Sequence, residues 1–160
     1  MAEVRQQASV TGRVELLETV EDPRGVARER LRQRVLAMTP EDLTAAPVEL
    51  AGARRIRAGT TSWAVVEPNG VARAVRARNF SGARGLRTDL REIISRHEEL
   101  RWVDVVDDDG RAWWITLDRK VVLVPGRIFR PRRIAEAQRD ARLALRAFSR
   151  LPADPLAGGR

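Results

Sequence analysis

The only lysine of the chain, Lys120, stands two residues after Asp118 in the stretch VVDDDGRAWWITLDRKVVLV (residues 105–124). Two carboxylates can hold a divalent ion while a neighbouring ammonium steadies the attacking water or the scissile phosphate. Asp107 or Asp109, about one strand upstream of Asp118, would supply the second carboxylate, and Glu92 or Glu99 a third. Lysine is a compact charge that arginine does not replace. A single lysine beside 29 arginines, out of 30 basic residues, therefore asks for a reason.

Asp118-x-Lys120 resembles the (D/E)xK half of the restriction-endonuclease-like signature. In that superfamily a helix precedes a three-stranded meander, with one Asp on one strand and the (D/E)xK on the next. The resemblance implies metal-dependent phosphodiester cleavage, with Asp109, Asp118 and Lys120 as its candidates. Three departures stand against it. The motif falls at the boundary between two expected strands, no proline precedes the aspartates, and no fourth strand follows the last helix. LDRK also reads as a tight turn, and that reading is preferred. No residue is assigned to catalysis.

Other chemistries fail on composition or spacing. With no cysteine there is no thiol nucleophile or zinc finger, and with no tyrosine there is no tyrosine recombinase. The single His97 excludes sites that need two histidines from one chain, and its place on an apolar helix face suits a bond to a backbone carbonyl. Asp107-Asp108-Asp109-Gly110 lacks the carboxylates of a calcium loop, having Val105 and Thr116 where Asp and Glu belong, and reads as a solvated hairpin tip. None of the five serines lies in a G-x-S-x-G elbow. SGARGLRT (81–88) matches neither phosphate-binding glycine motif and reads as a loop leading into a helix. No cofactor and no metal are expected.

What remains is charge. The net charge is +8, carried in blocks: −2 over residues 1–50, +7 over 51–91, zero over 92–97, −3 over 98–120 and +6 over 121–160. The bias to arginine with Ala, Val and Leu is that of a high-GC bacterium, so part of the excess is mutational. The ordered part is more telling. Arg132, Arg139, Arg142, Arg146 and Arg150 fall on one arc of roughly 80° at about 100° per residue. Arg84, Arg87 and Arg91 form a second group, near Arg73, Arg76 and Arg78. Guanidinium forks suit phosphate and protein carboxylates alike.

These residues must be carried by a folded domain. A 43% apolar fraction over 160 residues suits one domain with a core. No apolar run reaches the roughly 18–20 residues of a membrane helix, and MAEVRQQASV has no signal-peptide core, so a cytoplasmic location is the default. Asp22-Pro23 starts a helix that runs to about residue 38, and TPED (39–42) starts a short second one. TGRVELLETV is a strand or a short helix, and RRIRAG an edge strand. Asn69-Gly70 predicts a type I′ hairpin in 61–78, whose second strand carries arginines on both faces and so belongs at a sheet edge or against a partner. Leu86, Leu90, Ile93, Ile94, His97 and Leu100 mark a helix, followed by strands at 101–106, 111–117 and 120–124, and Pro131 opens a last helix to about 150. Trp113 and Trp114 should face opposite sides of their strand.

The expected fold is α+β: a mostly antiparallel sheet of about five to six strands packed by helices, in the order α-α-β-β-(β)-α-β-β-β-α. One domain spans 1–150, with a helical portion at about 22–46 and a flexible tail over 151–160. The expected function is a non-catalytic protein engaging nucleic acid through its arginines. The alternatives are an adaptor or structural subunit (phage or secretion-like) whose arginines meet an acidic protein surface, and the metal-dependent nuclease.

Overall fold

The computed structural model describes residues 13–18, 23–42 and 61–156. In chain order its elements are β1 (Arg13–Glu18), α1 (Pro23–Leu36), β2 (Thr39–Pro40), β3 (Thr61–Val66), β4 (Ala72–Arg76), α2 (Ala83–Ser95), a 3₁₀ turn (His97–Glu99), β5 (Arg101–Val106), β6 (Arg111–Leu117), β7 (Lys120–Pro125) and α3 (Ile134–Arg150). The fold is α+β: the described residues form one seven-stranded antiparallel sheet in the order β1-β3-β4-β7-β6-β5-β2.

The pattern of the central strands explains the layering. Every residue of β6 is buried, as is all of β7 after Lys120, so the sheet must be covered on both sides. Trp113, Ile115 and Leu117 join the core under α2 and α3, with Leu86, Leu90, Ile93, Ile94, Ala137, Ala141, Ala144 and Phe148. Ala112 and Trp114 join the opposite core, closed by Val35, Leu36 and Met38 at the end of α1. Both tryptophans are essentially inaccessible. Each indole N–H has a partner, Trp114 donating to the Val35 carbonyl at 2.9 Å. Opposite faces are confirmed, with both faces core.

Turn chemistry differs from expectation in an instructive way. The β3–β4 hairpin forms, but Gly70 N–H donates to the Glu67 carbonyl at 2.8 Å, and only Gly70 has positive φ, +85°. This is a type I turn at Pro68-Asn69 followed by a left-handed glycine. Pro68 would flank a type I′ Asn69-Gly70 pair but has no N–H to give Val71, whereas its fixed φ suits the first central position of a type I turn. Glu67 donates to the Val71 carbonyl instead. The tight turn with two consecutive left-handed residues lies instead between β6 and β7, at Asp118 (φ 52°) and Arg119 (φ 63°).

Other elements are corrected by pairing across the sheet. TPED opens no helix: Thr39 and Pro40 pair with Val106 and Val105 at the sheet margin, where a proline costs no ladder hydrogen bond. β4 is no edge strand, since it lies between β3 and β7. TGRVELLETV contributes the strand β1, while RRIRAG and residues 43–46 lie outside the described residues. α2 stops at Ser95, so His97 sits on the 3₁₀ turn. α3 begins at Ile134, not at Pro131, which leaves Arg132 off its stripe. The first part of the tail folds back: Leu151 is buried and Leu156 packs on the α2/α3 core. Among the described residues no helix is long and apolar enough to cross a membrane.

Candidate anion-binding surface

The lysine motif is taken apart by the sheet. Asp118 is the first residue of the β6–β7 turn and accepts two hydrogen bonds from Arg96, at 2.8 and 2.7 Å. Arg96 also grips Glu99 at 2.8 Å, and its guanidinium holds both carboxyls below their usual range. The DDDG tip lies at the other end of β6, where Asp107 accepts from Arg34 at 2.9 Å and its carboxylate caps the Asp109 N–H at the same distance. Seven residues at about 3.3 Å each put Asp109 and Asp118 roughly 20 Å or more apart. Carboxylates so separated cannot share an ion. Among the described residues no group of three or more His, Asp or Glu side chains is placed to hold a metal. His97 bonds the Ile94 carbonyl through Nδ1 at 2.9 Å, the backbone contact expected of it.

The arginines divide into two populations. Arg76 of β4 is buried; it donates to both oxygens of Asp89 at 2.9 and 3.0 Å and to the Val122 carbonyl at 2.8 Å. Asp89, on α2, also accepts from the Trp63 indole at 3.0 Å. α3 repeats the device: Asp140 accepts from the Trp113 indole at 2.9 Å and pairs with Arg73, which also binds Glu67. Each helix thus turns one aspartate inward, onto a strand tryptophan and a β4 arginine. Arg73 and Arg76, expected on a binding surface, are committed to these internal pairs.

The remaining members face solvent. Arg78, Arg84, Arg87, Arg91, Arg139, Arg142, Arg146 and Arg150 are exposed. Arg78 lies over the Phe80 ring at 5.0 Å, Arg142 over Trp102 at 5.9 Å, and Arg91 pairs with Asp154 at 2.7 Å. α2 and α3 share one face of the sheet, so seven of these arginines decorate a single layer. The SGARG loop enters α2 through Gly82 in an extended conformation (φ −151°, ψ 156°), with no side-chain cap.

A basic feature overlooked in the sequence lies in the loop GRIFRPRR between β7 and α3. Arg127, Ile128, Phe129, Arg130, Arg133 and Glu136 line a groove of about 400 Å³. The loop is pinned from beneath. Phe129 and Arg111 exchange backbone hydrogen bonds at 2.8 and 2.9 Å, and the buried Arg111 side chain donates to the Pro131 carbonyl at 2.9 Å. Two glycines permit the close approach: a Cβ on Gly126 would lie 2.2 Å from the Ala72 oxygen, and one on Gly110 2.7 Å from Ile128 Cγ2 and 3.1 Å from the Phe129 oxygen. Gly110, whose φ is not positive, is therefore required by packing rather than by the hairpin. The signal available was density, four arginines within seven residues, but it has no helical period to reveal it.

The fold and surface together define an α+β protein with a two-sided antiparallel sheet and one arginine-faced helical layer. No family model matches the chain, and no curated protein or solved structure matches it.

Proposed function

We propose that the protein is a non-catalytic binder of nucleic acid, engaging the phosphate backbone through the exposed arginines of α2 and α3. One observation carries this reading. Between Arg139 and Arg150, α3 presents Arg139, Arg142, Arg146 and Arg150 outward, and its one acidic residue in that span, Asp140, is buried against Trp113 and Arg73. Four guanidiniums along about 16 Å of helix, with the one exposed carboxylate of that helix, Glu136, at its start and turned to Arg127 and Arg133, make a track of excess positive charge.

Fluorescence anisotropy with short duplex and single-stranded DNA and RNA tests it. Binding should weaken steeply with salt, the slope of log K against log salt being about −3 to −4 for four phosphate contacts on a duplex. Replacing the four α3 arginines by Gln should abolish most of the affinity and flatten the slope. Absence of binding to all four polymers at low salt would overturn the proposal. A discrete oligomer unaffected by nuclease treatment would favour an acidic protein partner instead.

A further inference from the structure

We infer that the groove between β7 and α3 is a subsite for a terminal phosphate, the phosphomonoester dianion at the end of a nucleic-acid strand. The inference rests on the reading above and adds a second, differently built site to it. Three guanidiniums and one carboxylate line the groove, an excess of two positive charges. Glu136 stretches between two of them, 3.3 Å from Arg127 and 4.0 Å from Arg133, with all three side chains about half exposed. Contacts so long and solvated leave the guanidiniums under-compensated. Arg130 makes no ion pair within the described residues.

A phosphomonoester carries about −1.5 to −2 at pH 7, which matches the excess, whereas an internal phosphodiester carries half as much. Its oxygens accept the paired N–H bonds that the arginine fork offers. The floor is rigid: the Phe129–Arg111 backbone pair, the Arg111 bond to Pro131 and the contacts at Gly110 and Gly126 fix the loop before any ligand arrives. Little ordering is then required on binding. Glu136 acts as the internal competitor, its carboxylate standing where an anion would.

The test compares one single-stranded oligonucleotide carrying a 5′-phosphate, a 3′-phosphate or hydroxyls at both ends, by anisotropy. A phosphorylated end should bind on the order of tenfold more tightly than the hydroxyl form. Arg130→Ala should erase that preference while leaving the hydroxyl-ended strand unaffected, and Glu136→Gln should enlarge it. Both residues are exposed, and unchanged thermal melting of each variant checks the fold. Equal affinity for the three strands, or a preference that survives Arg130→Ala, overturns the subsite while leaving the helical track standing. If no strand binds, inorganic phosphate is titrated against the arginine Nε–H signals. Shifts at the groove that vanish in Arg130→Ala then support the anion site and sink nucleic acid as its source; no shift overturns both.

Discussion

β4 and α3 are both rich in arginine, yet their arginines do opposite things. Arg73 and Arg76 point into the layer beneath the helices, where Asp140 and Asp89 await them. Arg139, Arg142, Arg146 and Arg150 point out of it. The two populations are connected, because the acids that neutralise β4 are taken from the helices. Burying Asp89 and Asp140 anchors each helix to a strand tryptophan and removes one carboxylate from each outer face, where only Glu92 and Glu136 remain. A stability device on the inside thus sets the electrostatics of the outside. Buried arginine also serves the backbone: Arg32 donates to the Ala77 carbonyl, Arg76 to that of Val122 and Arg111 to that of Pro131.

The contrast can be broken by stability measurements. Asp89→Ala strands the buried Arg76 guanidinium and the Trp63 indole N–H and should cost about 3–5 kcal/mol in urea unfolding. Asp140→Ala strands the Trp113 indole N–H but leaves Arg73 paired with Glu67, and should cost about 1–3 kcal/mol. Single Arg→Gln changes at 139, 142, 146 or 150 should stay within about 0.5 kcal/mol. Comparable losses from both sets would erase the distinction between the populations. A smaller effect belongs to the two ends of β6. Arg119 holds a left-handed conformation that glycine adopts freely, so Arg119→Gly should raise stability by up to about 1 kcal/mol, seen as a higher Tm.

The smallest effect is one of pH. At the DDDG tip Arg34 holds the Asp107 carboxyl below its ordinary value of 3.8, chiefly by hydrogen bonding. A depressed folded pKa means that the pair's contribution is present above the ordinary value and is lost as pH falls through the depressed one. Carboxyl NMR titration should show Asp107 titrating below 3.8, and Arg34→Gln should return it toward that value; a titration unmoved by the substitution would show that Arg34 is not the cause.

Local features were legible in advance because they rest on short-range physics. The meander from Arg101 to Pro125, the α2 face from Leu86 to Ile94, the opposed Trp113 and Trp114 and the backbone bond of His97 follow from period, turn residues and side-chain alternation. LDRK as a turn belongs with them. The second helix at TPED failed because edge pairing with β5 outweighed a cap signal. Asn69-Gly70 favours a type I′ turn, but Pro68 lacks the N–H that the pair flanking such a turn needs, while β6 and β7 impose two left-handed residues on Asp118-Arg119. The groove at Arg127, Arg130 and Arg133 was missed because a loop has no periodicity to expose a shared face.

The sequence by itself determined the class of fold, the meander, the amphipathic helices and the sign and blocks of charge, since each depends on neighbours a few residues apart. Only the tertiary structure decided which arginines are free. Arg73 meets Asp140 across 67 residues and Arg34 meets Asp107 across 73. An ion pair depends on distance in space, and residues that far apart in the chain acquire one only when the sheet order and the helix packing bring them together.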